Sequence, residues 1–387
     1  MNAPKLRFKE FNDEWSQMKI KEVANVIGGG TPSTDELKYW GNEINWFTPS
    51  EIGKTKYVSS SQRKITISGL NNSSAKLLPE GTILLSSRAT VGEASILLRE
   101  ASTNQGFQSL VVNKKHNNEF IYYLKEKYKK EMLIKAFGST FLEISKSNVE
   151  NIDIIIPTLK EQTKIANFLS LLDKKIELQT KKIEDLKLFK LCISNEFFNE
   201  NIKERKSPLS NYCKLSTAKS KVNKINSNGC YYIMDMGTIT PDGYILKSKP
   251  TFCNEDIIKE GELVMPKDDI GGGLIIGRTG YINENKKYIL GDHVYLLKTE
   301  NINSLFLHYQ INSQYINRQL KKKVTGSAQL GLKASNIINQ DIFIYSSEMQ
   351  NKISKILCLC DTKILNEIKK TERLMELKKG LMQNMFV

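Results

Sequence analysis

The stretch GSTFLEISKSNVENIDIIIPTLKEQTKIANFLSLLDKKIELQTKKIEDLKLFKLCISNEFF, residues 138–198, aligns without a gap to GSAQLGLKASNIINQDIFIYSSEMQNKISKILCLCDTKILNEIKKTERLMELKKGLMQNMF, residues 326–386. The offset is 188, and 23 of the 61 positions are identical. Matched landmarks run through the whole stretch: Gly138/Gly326, Ser139/Ser327, Asn148/Asn336, Asp153/Asp341, Gln162/Gln350, Asp173/Asp361 and Phe198/Phe386. A period this long indicates a duplicated unit, whereas solenoid repeats run to roughly 20–45 residues.

Each copy reads as a short strand followed by a long helix. IDIIIP at 152–157 and QDIFIY at 340–345 are β-branched apolar runs of strand length. Beyond them the apolar spacing turns helical. Ile165, Leu169, Leu172, Ile176, Gln179, Ile183, Leu186, Lys190, Ile193 and Phe197 step by four and three, with eight of the ten apolar. Ile353, Leu357, Cys360, Ile364, Glu367, Thr371, Leu374, Lys378, Leu381 and Met385 do the same, with seven of ten apolar. Neither segment contains proline. About 40 residues at 1.5 Å rise give a rod of about 60 Å. An apolar seam of that length requires a partner helix, and the nearest candidate is the other copy. The D-x-K triplets at Asp173–Lys175 and Asp361–Lys363 fall on these helices and read as ordinary exposed charges.

The rest of the chain is less alike. Residues 1–137 and about 207–325 hold short apolar strands, glycine turns and polar loops. An E-G pair precedes an apolar strand in both, at Glu80–Gly81 and Glu260–Gly261. GGGTPST (28–34), Trp40 and Trp46 occur only in the first. NENIKERKSP (199–208) reads as the connection out of the first helix. The expected plan is α+β, alternating globule and helix: 1–157, 158–199, 200–345 and 346–387.

The 387 residues carry 57 Lys and Arg against 42 Asp and Glu, a formal charge of +15. Residues 1–199 contribute +6 and residues 200–387 contribute +9, so the excess is not a basic tail. Distributed positive charge on a folded chain suits a polyanion, because each cation placed at a phosphate releases condensed counterions. Solubility alone is the plainer reading. No apolar run approaches 18 residues, and the start lacks a signal-peptide core; a cytoplasmic protein without a membrane segment is expected. The six cysteines show no metal-ligand spacing, so no metal is expected. GGLIIGRT at 272–279 approaches a phosphate loop, but Arg278 stands at the lysine position and YINENKKYILG reads as turn and strand. No H-x-x-x-H, G-x-S-x-G or [DN]-P-P-[FYW] occurs. The chain reads as non-catalytic.

The plan and its residues together resemble the DNA specificity subunit of type I restriction–modification systems. The opening from Pro4 to Trp15 (PKLRF, KEF, W), GGGTPST, and the N-x-x-x-(D)-I-x-I-P run followed by EQTKIANFLSLLD at 161–173 carry the likeness, which covers nearly the whole chain. The second copy departs where Tyr345 stands for the proline and Met349 for Glu161. The resemblance implies two target recognition domains separated by two long helices that form an antiparallel coiled coil. It implies an asymmetric, bipartite double-stranded DNA site, read one half per recognition domain. Two methyltransferase subunits would dock on the chain and restriction subunits would complete the complex. No cofactor belongs to this chain; the partner methyltransferase would use S-adenosylmethionine. Paired rods of about 60 Å would hold two readers apart by one to two duplex turns of about 34 Å. The alternative is a non-enzymatic coiled-coil adaptor, or a DNA-binding module unrelated to restriction. An adaptor needs neither positive charge on both globules nor two dissimilar heads.

Candidate DNA contacts come from basic and amide-bearing loops, because Lys and Arg neutralise phosphate while Arg, Asn, Gln and carboxylates read base edges. In the first globule they are Lys54, Lys56, Tyr57, Arg63, Lys64, Arg88, Thr90, Gln105 and Gln108; in the second, Lys219, Lys221, Lys267, Asp268, Arg278 and His293. Gly138–Thr140 and Gly326–Ala328 follow the basic stretches KEKYKK and RQLKKK and are placed to meet the backbone. The helix seam and partner-docking residues are Ile165, Leu169, Leu172, Ile176, Ile183, Leu186, Ile353, Leu357, Ile364 and Leu374.

Overall fold

The two apolar seams fold as helices of almost the expected length. The computed structural model describes residues 3–137, 142–326 and 329–387, so Gly138–Thr140, Ser327 and Ala328 lie outside the described residues. The longest helices are α1 (Asn118–Lys135), α2 (Leu159–Phe197), α3 (Ser304–Asn312), α4 (Gln314–Lys321) and α5 (Ser347–Asn384). The chain divides into two compact units, 1–178 with 371–387 and 179–370. Helices α2 and α5 therefore contribute one half to each unit.

In the first unit, a five-stranded sheet runs in the order Ala24–Gly28, Gln108–Val112, Ile83–Leu85, Ala94–Leu97 and Tyr57–Val58, antiparallel except for the last, parallel pair. A three-stranded sheet sets Trp40–Phe47 between Arg63–Ile65 and Ser102–Thr103. Strand Ser16–Lys19 pairs antiparallel with Asp153–Ile156. Helix α1 and the start of α2 share one apolar core with these strands, through Phe120, Tyr128, Met132, Ile165 and Leu169. The end of α5 enters the same core, where the ring of Phe386 lies 5.3 Å from that of Phe120.

The second unit repeats these connections around different sheets. Strand Arg205–Pro208 pairs antiparallel with Asp341–Ile344. One four-stranded sheet orders Cys213–Ser216, Val294–Thr299, Leu263–Pro266 and Gly280–Tyr281; another orders Pro250–Thr251, Tyr231–Met234, Tyr288–Leu290 and Ile257–Ile258. Phe198, just past α2, packs 5.6 Å from Phe306 of α3, as Phe386 does on Phe120.

The matched landmarks make matched bonds. Gln162 Oε1 accepts the N–H of Asn117 at 2.9 Å and its amide donates to Pro157 O at 2.8 Å. Gln350 repeats both, with Asn303 at 2.9 Å and Tyr345 O at 2.8 Å. Asn117 and Asn303 in turn cap α1 and α3, each accepting a backbone N–H at 2.9 Å from Phe120 or Phe306. Asn148 donates to Lys135 O and Asn336 to Lys323 O, again 188 residues apart. These side chains close backbone groups at the joint between globule and rod, and so they recur, Gln162/Gln350 and Asn148/Asn336 at a spacing of 188 and the caps Asn117/Asn303 at 186.

Every seam position is buried or half-buried. Ile165, Leu169, Ile353, Leu357 and Ile364 are buried, while Leu172, Ile176, Ile183, Leu186 and Leu374 are half-buried. In the second unit Gln179 bonds Glu367 and Lys190 bonds Asp361 at 2.6 Å, so the two helices run antiparallel there. Glu367 also pairs with Lys370 at 3.0 Å and Lys182 at 3.1 Å, which hold its carboxyl down to about 2. The polar interruption of the seam is thus an interhelical bond.

The D-x-K aspartates correct the expectation of ordinary exposed charges. Asp173 bonds Lys378 at 2.5 Å and accepts from the Tyr123 hydroxyl at 2.6 Å. Asp361 bonds Lys190 at 2.6 Å and accepts from the hydroxyls of Tyr244, at 2.6 Å, and Tyr309. Lys190 and Lys378 are themselves 188 apart, so each copy donates an aspartate to the other copy's lysine. Periodicity exposed the helices but not these partners.

The departures in the second copy also have physical reasons. Glu161 is buried and takes two hydrogen bonds of 2.8 Å from the guanidinium of Arg7, with the Trp15 indole N–H at 3.4 Å. Met349, at the same place in the second copy, offers no carboxylate for such a clasp and is 38% exposed. Tyr345, in the proline position, donates its hydroxyl to Phe197 O at 2.7 Å and so satisfies a carbonyl at the end of α2.

Candidate DNA interface

The first unit places the proposed contacts in three groups. One surrounds GGGTPST. The indole of Trp46 donates to Gly30 O at 2.9 Å and that of Trp40 to Ser33 O at 3.0 Å, which fixes the glycine turn. Gly29 has no room for a side chain, since a Cβ would stand 2.0 Å from Asn104 O. Arg63 is exposed with its guanidinium 3.6 Å from the centre of the Trp40 ring, and Lys64 follows it on the same edge strand. Gln105 is exposed and accepts from Thr31 at 2.5 Å. Gln108 begins the neighbouring strand, and its side-chain oxygen is buried without a hydrogen-bond partner.

A second group is the turn after Ile83–Leu85. Arg88, Ala89 and Thr90 are exposed, and Ala89 adopts φ 63°, which folds the tip tightly. Arg88 grips Glu143 at 3.0 and 2.5 Å, and Thr90 bonds Ser86 at 3.0 Å. The third group divides. Lys54 is exposed, whereas Lys56 turns inward: its ammonium reaches Glu119 at 2.9 Å, the Tyr123 hydroxyl at 2.9 Å and Ser170 at 2.6 Å. Burial lowers the Lys56 pKa against the pull of Glu119. Tyr57 donates to the same carboxylate, and burial followed by that bond pushes its phenol up. Lys56 and Tyr57 thereby tie the sheet edge to α1 and α2.

In the second unit, Lys267, Asp268 and His293 come together. Asp268 accepts a hydrogen bond from His293 Nδ1 at 2.9 Å, and Lys267 donates to Asp292 O at 2.5 Å. The bond to Asp268 raises the His293 pKa and favours its charged form. Asp268 bridges to Gly331 and Arg88 bridges to Glu143, and Gly331 and Glu143 are 188 apart. The same turn therefore abuts the repeated segment in both units. In the second unit it is longer: Asp269 is buried and accepts the N–H groups of Gly271, Ile275 and Ile276, holding a glycine loop whose Ile270 and Leu274 are exposed. The residues after this loop form the strand Gly280–Tyr281, not the helix a phosphate loop requires.

The remaining candidates are placed elsewhere. Lys219 is exposed. Lys221 is buried, its ammonium on Asp256 at 2.6 Å and Leu290 O at 2.8 Å, and it supports a loop from inside. Arg278 lines a cleft beside α2 and α3. Among the described residues, Asp235, Asp292 and His293 bring ligand-type atoms within 4.8 Å of one another, but Asp235 already bonds Lys249 at 2.7 Å. Sequence reasoning did not select Thr31, Trp40, Glu143 or Asp292, whose positions depend on pairing across the fold.

Two residue ranges, 12–188 and 202–378, each match the family described as type I restriction modification DNA specificity domain. The chain belongs to this family. Each matched range thus contains one globule and most of one repeated strand and helix. The type I restriction enzyme MjaIX specificity subunit of Methanocaldococcus jannaschii is 38% identical over 189 residues, covering 48% of this chain and 44% of that protein. The EcoR124I/EcoR124II specificity subunit of Escherichia coli is 27% identical over 197 residues, 46% of this chain and 48% of its own length. The chain therefore spans about half the length of these two relatives. The MjaVIII specificity subunit, also of M. jannaschii, is 24% identical over 421 residues, covering 97% of this chain and 94% of that one. The crystal structure of a type I restriction–modification S subunit from M. genitalium has the same fold, with a TM-score of 0.67 at 16% identity over 100% of this chain and 99% of the other. No described helix of this specificity chain is long and apolar enough to cross a membrane.

Proposed function

We propose that the chain is the DNA sequence-recognition subunit of a type I restriction–modification complex, reading a bipartite asymmetric site with one globule per half-site. What supports this most is the combination of matched rod joints with unlike heads: Gln162 and Gln350 make the same bonds, yet the exposed Arg63 on the Trp40 ring occurs in one unit and the Lys267–Asp268–His293 group in the other. Equivalent rods suit two copies of one partner, and unlike heads suit two different half-sites. Those partners would be two methyltransferase subunits that carry S-adenosylmethionine, with restriction subunits joining for cleavage. The chain itself would recognise and position DNA without performing chemistry, in the cytoplasm. Large-scale electrostatics favour it, since +15 is shared between both halves.

The test is methylome sequencing in a host carrying this chain and its methyltransferase. Exchanging residues 1–137 for those of a related chain is expected to change one half of the methylated site and leave the other. A site altered in both halves, or in neither, refutes the modular reading.

A further inference from the structure

The cleft containing Arg278 lies wholly within the second unit and has a volume of about 330 Å³. Lys187, Lys190 and Leu191 of α2 form one wall; Tyr244 and Asp242 form another; Tyr309, Asn312 and the start of α4 at Ser313–Gln314 close it. Arg278 is half-buried, and its Nη1 donates to Asn312 O, while its Nε is buried without a hydrogen-bond partner. Asp242, the carboxylate on the rim, is bonded to Lys187 at 2.9 Å, and Lys190 is held by Asp361. Both lysines thus have carboxylate partners, whereas the guanidinium of Arg278, largely desolvated, is in no salt bridge among the described residues and feels only the charge of Asp242, so an anion joining it would be stabilising. Lys321 sharpens the point, because burial and then the neighbouring Arg278 charge lower its pKa.

The corresponding place in the first unit differs in kind. There Met375, Lys378, Lys379 and Met382 stand where α2 has Lys187, Lys190, Leu191 and Ser194, and no arginine lines the cleft among the described residues. The arginine is thus a feature added to one copy of a duplicated joint, where the joint itself folds without it.

We propose that the second-unit cleft binds a phosphate-bearing small molecule, with Arg278 as the principal contact and Lys187 at the rim. A planar guanidinium and a helix N-terminus both suit tetrahedral oxyanions. The volume lies at the lower end of small-molecule sites, and the Tyr244 and Tyr309 rings supply apolar wall for an organic group on the phosphate. The acidic rim residue Asp242 disfavours a long polyanion more than a compact one.

The experiment titrates the full-length chain, in chloride buffer, with inorganic phosphate, AMP and a short DNA duplex, following heat of binding and thermal stability. Saturable binding of phosphate, tighter for AMP, is expected. Arg278→Met should abolish it, and Lys187→Met, on an exposed helix position, should weaken it by about tenfold without altering the fold. Lys298→Met, on an exposed strand position, should leave it unchanged. Absence of saturable binding by both phosphate and AMP overturns the proposal, as does equal binding by the Arg278 and Lys187 variants and the native chain. If duplex DNA alone binds and does so through Arg278, the site is a backbone contact and the proposal also falls. Half-site exchange reads a separate property, so failure here leaves the recognition role to its own test.

Discussion

The joint of the first unit and the joint of the second share most of their bonds, apart from the Arg7–Glu161 clasp of the first and the Tyr345 hydroxyl of the second, while the candidate DNA faces share almost nothing. Gln162 and Gln350 satisfy the same buried backbone groups, and Asp173–Lys378 mirrors Asp361–Lys190. On the faces, Arg63 stacks on Trp40 in one unit, and a glycine loop is anchored by buried Asp269 in the other. A joint must bury apolar surface and close backbone hydrogen bonds in one geometry, so few residue types serve. A face that read DNA, as proposed, would be bounded only by the base edges it meets, and those can differ between half-sites.

The strongest way to break this equivalence is at Leu169 and Leu357, which are 188 residues apart and 0% exposed. Leu169→Ala and Leu357→Ala should each cost about 2–5 kcal/mol, since both remove buried methyl groups and leave a cavity. Hydrogen exchange resolved by unit is expected to show each loss confined to the unit carrying the substitution. A pair of costs differing by more than about 2 kcal/mol would show that the two joints are not energetically alike.

The joints were legible because their signals are local. A 3–4 apolar step, a β-branched run and a fixed offset can be read without knowing the fold, and they placed α2 and α5 to within a few residues. The faces were not. Lys221 looked like any loop lysine, yet its partners Asp256 and Leu290 stand 35 and 69 positions along the chain. Lys56 likewise meets Glu119, 63 positions away. Whether a cation faces solvent or a carboxylate depends on which loops the sheets bring together, and no periodicity encodes that. Asp173 and Asp361 were misread for the same reason: the partner lies on the opposite helix.

His308 provides a difference between the units that pH should expose. It is buried in α3, beside Thr279 at 3.1 Å, and burial lowers its pKa to about 3, with Lys190 adding to the effect and Asp361 opposing it. A histidine that stays neutral when folded but protonates near 6.5 when unfolded stabilises the fold fully above pH 6.5. As pH falls below that value the unfolded chain gains protons first, so stability declines until the folded pKa is reached. Between pH 6.5 and 5 the second unit should lose about 2 kcal/mol, measured by hydrogen exchange across α3, and His308→Gln should flatten the profile. In the first unit His116 is also lowered by burial but is opposed by its bond to Gln162, so a shallower slope is expected there. Equal slopes in the two units would remove this distinction.

The smallest effect is expected at the crossed ion pairs, and it bears most directly on the duplication. Lys190 and Lys378 each reach the other copy's aspartate, with side chains 21% and 29% exposed. Partial exposure screens the charge, so Lys190→Met and Lys378→Met should each cost about 1 kcal/mol, well below a core truncation. The apolar stem of methionine preserves packing along the seam, which isolates the ammonium's contribution. The surroundings are unequal: Asp361 keeps two tyrosine hydroxyls, from Tyr244 and Tyr309, whereas Asp173 keeps that of Tyr123. Loss of Lys190 therefore leaves a carboxylate with more hydrogen-bond donors than loss of Lys378, although Asp361 is the less exposed of the two, and the second substitution should be the more costly. Denaturant titration of both variants tests the order, and the reverse order would mean that the ring contacts of Lys190 with Tyr244 and Tyr309 outweigh the hydroxyls they bring.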